Sequence, residues 1–126
     1  MKQMFLLFSH TLTQAQKDDA KNFLSIKSFV ELPHDLQNLW SDIPADLKNI
    51  SLFLNPLKEF LKNNAKKDDI VLVQGDFCAV YEMVDFSKNI GLIPVCSTTK
   101  REVKELIKDN KVIKTSTFRH VIYRRY

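Results

Sequence analysis

The stretch Ile70-Val71-Leu72-Val73-Gln74-Gly75-Asp76-Phe77 decides the fold. Four consecutive apolar residues predict a strand buried on both faces, because a half-exposed strand would alternate apolar with polar. Gln74-Gly75 then turns the chain, and Asp76 stands where a helix N-cap belongs, so a helix opens at Phe77. A second strand and a polar segment follow downstream, as Leu92-Ile93-Pro94-Val95-Cys96 and then Ser97-Thr98-Thr99-Lys100-Arg101. The chain has two glycines, Gly75 and Gly91, and both flank these strands.

Working outward, Met4 to Phe8 is a continuous apolar run that predicts a central strand. Thr13-x-x-Gln16 is a capping box, with a helix from about Leu12 to Leu24. Ser28 to Leu32 reads as a short strand stopped by Pro33. His34 to about Asn64 is helical, with interruptions at Pro44 and Pro56 and apolar stripes made by Leu36, Leu39, Trp40, Leu47, Ile50, Leu52, Phe53, Leu57, Phe60 and Leu61. Lys62 to Asp69 returns as a loop, and Phe77 to Asn89 is a helix capped near Gly91. From Thr99 onward two readings compete. Thr99-x-x-Glu102 fits a capped helix, whereas the β-branched and aromatic residues on either side of Lys108-Asp109-Asn110-Lys111 fit a hairpin, which is favoured. Alternating strands and helices predict an α/β fold, a mostly parallel sheet flanked by helices with a C-terminal β-hairpin, as a single domain over residues 1–126.

Composition bounds the function. With 126 residues, 44% hydrophobic and 27% charged, the chain resembles an ordinary soluble globule. A net charge of +4 permits an anionic ligand without demanding one. Cys78 and Cys96 fall in apolar runs without Cys-x-x-Cys spacing, so buried reduced thiols and a cytoplasmic location are expected. No signal peptide and no membrane span are read in the chain. His10, His34 and His120 lack metal-ligand spacing, so neither a metal nor a cofactor is expected, and no Ser-His-Asp set has a recognisable sequence context.

Ligands of parallel sheets bind outside the carboxyl ends of the strands. Three such ends are predicted: Ser9-His10-Thr11, Gln74-Gly75-Asp76-Phe77 and Ser97-Thr98-Thr99-Lys100-Arg101. Gly75 would let a backbone amide approach a ligand at a helix N-terminus, or simply supply the turn. Asp76 would cap the helix or touch a ribose hydroxyl. Ser97, Thr98 and Thr99 offer hydroxyls, and Lys100 and Arg101 offer cations that could offset charge in phosphoryl transfer. His10 could act as a general acid. The tail Arg119-His120-Val121-Ile122-Tyr123-Arg124-Arg125-Tyr126 could touch nucleic acid or form a charge-protected edge strand.

Val71 to Phe77, Ile93 to Cys96, Ser97 to Glu102 and the tail from Lys114 to Val121 together resemble the small stand-alone CRISPR-associated Rossmann-fold (CARF) proteins, in particular the Csx-twenty type found beside type III CRISPR systems. Cys96 stands where a bulkier residue is expected in that family. The resemblance implies a Rossmann-like CARF fold and a homodimer. It also implies a ring nuclease that binds and cleaves cyclic oligoadenylate, tetra-adenylate first and hexa-adenylate second, to switch off antiviral signalling. A ribose 2′-hydroxyl would attack the adjacent phosphorus without a metal, leaving linear products with a 2′,3′-cyclic phosphate. On that reading Thr98, Lys100, Arg101 and His10 are the catalytic group. Ser9, Gln74, Gly75, Asp76, Phe77, Ser97 and Thr99 bind the ligand, and no stable DNA binding is expected. The alternative is a sensor or sponge that holds the ring uncut.

Overall fold

The computed structural model describes residues 2–126. Its one sheet has five strands: β1 (Lys2–Leu7), β2 (Ile26–Glu31), β3 (Ile70–Val73), β4 (Ile93–Lys108) and β5 (Lys111–Arg125). They lie in the order β2-β1-β3-β4-β5. The first four run parallel, and β4 pairs antiparallel with β5. The helices are α1 (Gln14–Phe23), α2 (His34–Ser41), α3 (Asn55–Asn64) and α4 (Phe77–Asn89). The predicted α/β fold, with its flanked, mostly parallel sheet and terminal hairpin, is therefore the observed one.

Every residue of β3 is buried, so apolar layers are required on both faces. On one face Phe5, Leu7, Val71 and Val73 meet Trp40 of α2, Leu57 and Leu61 of α3, and Met83 of α4. On the other, Met4, Leu6, Ile70, Leu72 and Val95 meet Ala20 of α1. Alternate strand residues supply the two cores, as the two-residue period of a strand demands.

The local signals are satisfied in detail. Thr13 and Gln16 close the capping box at the start of α1. Pro56 starts α3 instead of breaking a helix, and the stretch between α2 and α3, which holds Pro44, is irregular chain with turns. The chain from 34 to 64 is thus two short helices where a longer interrupted one was expected. Gly91 adopts φ +83°. Its N–H donates to the Lys88 carbonyl at 3.1 Å while the Leu92 N–H donates to that of Ser87 at 2.9 Å. These paired bonds form a Schellman motif, which favours glycine at the left-handed position.

The carboxyl-terminal hairpin turns where expected, between Lys108 and Lys111, but its first strand is longer than expected. β4 does not end at Cys96 in a turn; it continues to Lys108, bonded to β5 throughout. Asp109 and Asn110 both take left-handed φ, 53° and 60°, the geometry of a two-residue hairpin turn whose twist matches the flanking strands. Beyond Thr99 the pair leaves the globule as a ribbon, exposing Leu106, Ile107, Val112 and Phe118. The basic tail is the edge strand, anchored where the Tyr126 hydroxyl donates to the Val73 carbonyl at 2.5 Å. Burial, then the nearby Cys96, pushes the Tyr126 phenol up to about 12. Cys78 is exposed on the first turn of α4 and Cys96 is half-buried, both free, so the expectation of two buried thiols fails. Neighbouring Phe77 is also open to solvent while Ala79 of the same turn is buried, so the core-facing stripe of α4 does not include Cys78.

Glu82 of α4 is tied to α3 by Lys58, whose ammonium lies 2.9 Å from the carboxylate, and to the turn before α3 by the Ser51 hydroxyl, which donates to the same oxygen. The Ser51 hydrogen bond, then Lys58, hold the Glu82 carboxyl below its ordinary value of 4.5 despite opposing burial. A depressed folded-state pKa contributes stability that is present above the unfolded value and is lost as pH falls through the folded one. Glu82→Gln is therefore expected to flatten the decline in melting temperature below about pH 4.5, as thermal scans from pH 7 to 3 would read. An unchanged acid limb would contradict the assignment.

Candidate functional site

The strand order puts a topological switch between β1 and β3, and a crevice opens there at the carboxyl ends. A cavity of about 280 Å³ is lined by Phe8, His10 and Thr11 after β1, Gln74 after β3, and Ser97 and Thr99 of β4. Thr13 and Gln16 at the start of α1 and Phe118 and His120 of β5 complete it. Phe8, His10 and Thr11 also wall a wider groove of about 840 Å³, where α1 contributes Lys17 and Lys21 and the α2 side His34 and Gln37. Ser9 belongs to this groove. The His10 ring meets Phe8 edge to face, with centroids 5.4 Å apart.

Polar atoms in the cavity are held firmly. The Gln74 carboxamide oxygen accepts from the Ser97 amide at 2.7 Å, which orients the side chain across the end of β3. The Ser97 hydroxyl accepts from the Gln16 carboxamide at 3.2 Å and stands 2.5 Å from Nδ1 of His120. The other ring nitrogen of His120 lies 2.6 Å from the Asp19 carboxylate. Tyr123 donates to the Gln16 carbonyl at 2.9 Å; burial and then the charge of Asp19 push its phenol above the ordinary range. Gln16 thus caps its own helix, meets Ser97 and receives Tyr123. That shared bonding joins α1 to the two strands.

His10, Gln74, Ser97 and Thr99, all singled out in the sequence, come together around this cavity. Others do not. The Thr98 hydroxyl is spent on the sheet, accepting from the Ile122 amide at 3.1 Å and donating to the Ile122 carbonyl at 3.0 Å. Lys100 and Arg101 lie in the ribbon instead of at a strand-end turn, with the Arg101 guanidinium donating to Ser116 at 3.0 Å. Asp76 is the N-cap of α4, accepting from the Ala79 amide at 3.0 Å. Phe77 is almost fully solvent-exposed, and neither it, Asp76 nor Gly75 lines the cavity. Gly75 has a packing reason of its own. The Trp40 indole donates to the Gln74 carbonyl at 3.0 Å, and a Cβ on Gly75 would stand 3.1 Å from that indole nitrogen.

Asp19, His120, Lys17 and Lys21 were missed as site residues. The capping box at Thr13 fixes the start of α1 and hence the face shared by Gln16 and Asp19, but no sequence spacing connects Asp19 to a residue 101 positions away. Among the described residues, no group of three His, Cys, Asp or Glu side chains is arranged to hold a metal ion. No helix among them is long and apolar enough to cross a membrane.

Residues 2–124 match the family described as the Uncharacterized protein MJ1673 family, and the chain belongs to that family. It is similar to a protein of Methanocaldococcus jannaschii that carries the name Uncharacterized protein MJ1673, with 50% identity over 126 residues covering 100% of this chain and 98% of the relative. No solved structure matches the chain.

Gly75→Ala should crowd the Trp40 indole and lower folding stability by about 1–3 kcal/mol, the usual range for overpacking, read by denaturant unfolding. A loss below about 0.5 kcal/mol, the scale of an ordinary surface substitution, would show that the indole yields and that the glycine is not required by packing.

Proposed function

We propose that this member of the MJ1673 family is a ring nuclease, a cytoplasmic enzyme that binds cyclic oligoadenylate and cleaves it to linear products ending in a 2′,3′-cyclic phosphate. The observation that carries the reading is the joined pair of hollows at the carboxyl edge. The smaller offers amide, hydroxyl and imidazole groups suited to a base and ribose, and the wider carries Lys17 and Lys21, suited to the flanking phosphates. Lys17 and Lys21 are four residues apart on one helix, so they share a face. Thr99 and Gln74 orient the ring, and His10 protonates the leaving 5′-oxygen. RNA supplies its own nucleophile, so positioning and electrostatic stabilisation carry most of the catalysis.

The ribbon supports a two-fold assembly around a symmetric ring. Residues 100–119 hold seven basic residues (Lys100, Arg101, Lys104, Lys108, Lys111, Lys114, Arg119) against three acidic ones (Glu102, Glu105, Asp109), so the ribbon carries a net +4 and the rest of the chain balances to zero. Ile107 is paired with Val112 in register, and both are more than half exposed. A bare two-stranded ribbon is marginal in water, and a second copy of the chain would cover these side chains. Sedimentation is expected to give a dimer for the native chain and a monomer for Ile107→Glu/Val112→Glu. A native monomer that stays monomeric with the ring bound would remove the dimer from the proposal.

The activity is tested by incubating the chain with cyclic tetra- and hexa-adenylate in EDTA and separating the products by chromatography. Linear fragments with 2′,3′-cyclic phosphate ends are expected. An intact ring that co-elutes with the protein would make it a sponge, and no binding of either ring would overturn the reading.

A further inference from the structure

The register between β4 and β5 contains an irregularity at the cavity. Ser97 pairs with Tyr123, but Thr99 pairs with His120, so Val121 and Ile122 stand opposite the single residue Thr98. In a regular strand, residues three apart point to opposite faces. The extra residue turns His120 and Tyr123 to the same side, with ring centroids 4.6 Å apart. Thr98 clamps this bulge through both polar groups of the Ile122 backbone. Bulges commonly re-aim a side chain beside an active site.

The re-aimed ring is nearly closed off from solvent, 4% exposed, and both its nitrogens are engaged. An ionised carboxylate only accepts hydrogen bonds, so the nitrogen facing Asp19, Nε2, carries the proton. In the neutral ring Nδ1 then holds a lone pair, and the Ser97 hydroxyl donates to it. Gln16 fills one lone pair of that hydroxyl. The other is left for a donor in the cavity that Ser97 lines.

We propose that Asp19, His120 and Ser97 form a proton relay in which Ser97 meets the substrate and His120 and Asp19 are positioning residues behind it. The substrate part rests on the ring-nuclease reading. As the 2′-oxygen of the ring attacks phosphorus, its proton passes to the Ser97 oxygen while the Ser97 proton passes to Nδ1 of His120. The bond from the 2′-oxygen to phosphorus forms, and the bond from phosphorus to the 5′-oxygen breaks. The 5′-oxygen takes its proton from His10 across the cavity. Asp19 stabilises the imidazolium, which returns its proton to solvent as His10 regains one, so no further reactant is consumed. The order of bonds differs from the familiar serine triad, because Nδ1 faces the serine and Nε2 the carboxylate, and the serine makes no covalent intermediate.

The test measures binding and chemistry separately on the full chain. Asp19→Asn, His120→Gln and Ser97→Ala are compared with native protein for the Kd of cyclic tetra-adenylate and for the single-turnover cleavage rate. Loss of a general acid–base contribution predicts a fall of about 10²–10⁴-fold in the rate in all three. Kd stays within about 3-fold in Asp19→Asn and His120→Gln, since those two residues stand behind Ser97 and the groups that meet the ring remain. An unchanged rate in Asp19→Asn and His120→Gln overturns the relay. A Kd weakened as much as the rate in Asp19→Asn and His120→Gln also overturns it, because that is the signature of a purely structural role. Nitrogen-15 NMR of the His120 ring in native protein needs no variant to fold: a proton on Nε2 is expected, and a proton resident on Nδ1 alone overturns the relay whatever the substrate. If native protein neither binds nor cuts the ring, the substrate assignment fails, and the ring tautomer still decides the relay.

Discussion

The rest of the molecule depends on the burial of β3. Its four residues have no exposed face, and each apolar side chain of that size contributes about 1.5–3 kcal/mol when fully buried. A strand of this kind is stable only when covered on both sides, which requires α1 on one face and α2, α3 and α4 on the other. It must also be bonded along both edges, which β1 and β4 do. With faces and edges closed, the carboxyl end is where the strand meets solvent. There the Gln74 side chain turns across to Ser97, and the Gln74 carbonyl takes the Trp40 indole. One residue therefore joins the core to the cavity.

A second constraint acts where β3 stops. β4 outlasts its parallel neighbour and must find backbone partners elsewhere, because unpaired amides and carbonyls are costly. β5 supplies them from Val95 onward, and the bulge opposite Thr98 lets His120 and Tyr123 both turn toward α1 without ending the pairing. The short helix in turn brings Gln16 and Asp19 to meet them. The cavity is thus assembled from the two ends of the chain, Phe8 to Gln16 and Ser97 to His120, with Gln74 from its middle.

Much of the fold was legible because its signals are local. β3 and α4 fall on the residues expected, since an unbroken apolar run, an Asp N-cap and a glycine past the helix end each act within a few residues. The extent of β4 was not legible. Ser97 to Arg101 resembles a polar turn, and it stays extended only because β5, from the far side of a hairpin, bonds to it. The same long-range pairing explains the errors at the site. Thr98 has a hydroxyl suited to a phosphate but spends it on the Ile122 backbone, and Lys100 and Arg101 are carried out along the ribbon. His120 looked like part of a basic tail, and only the bulge brings it beside Ser97.

The central claim is that the carboxyl edge of the parallel strands, and not the basic ribbon, receives an anionic adenylate ring. Amide NMR of the protein titrated with cyclic tetra-adenylate tests this most directly, under conditions where the ring stays intact. The account predicts saturable shifts centred on His10, Gln74, Ser97 and Thr99, complete at one ring per two chains. Shifts confined to residues 100–119, or none at all, would contradict it.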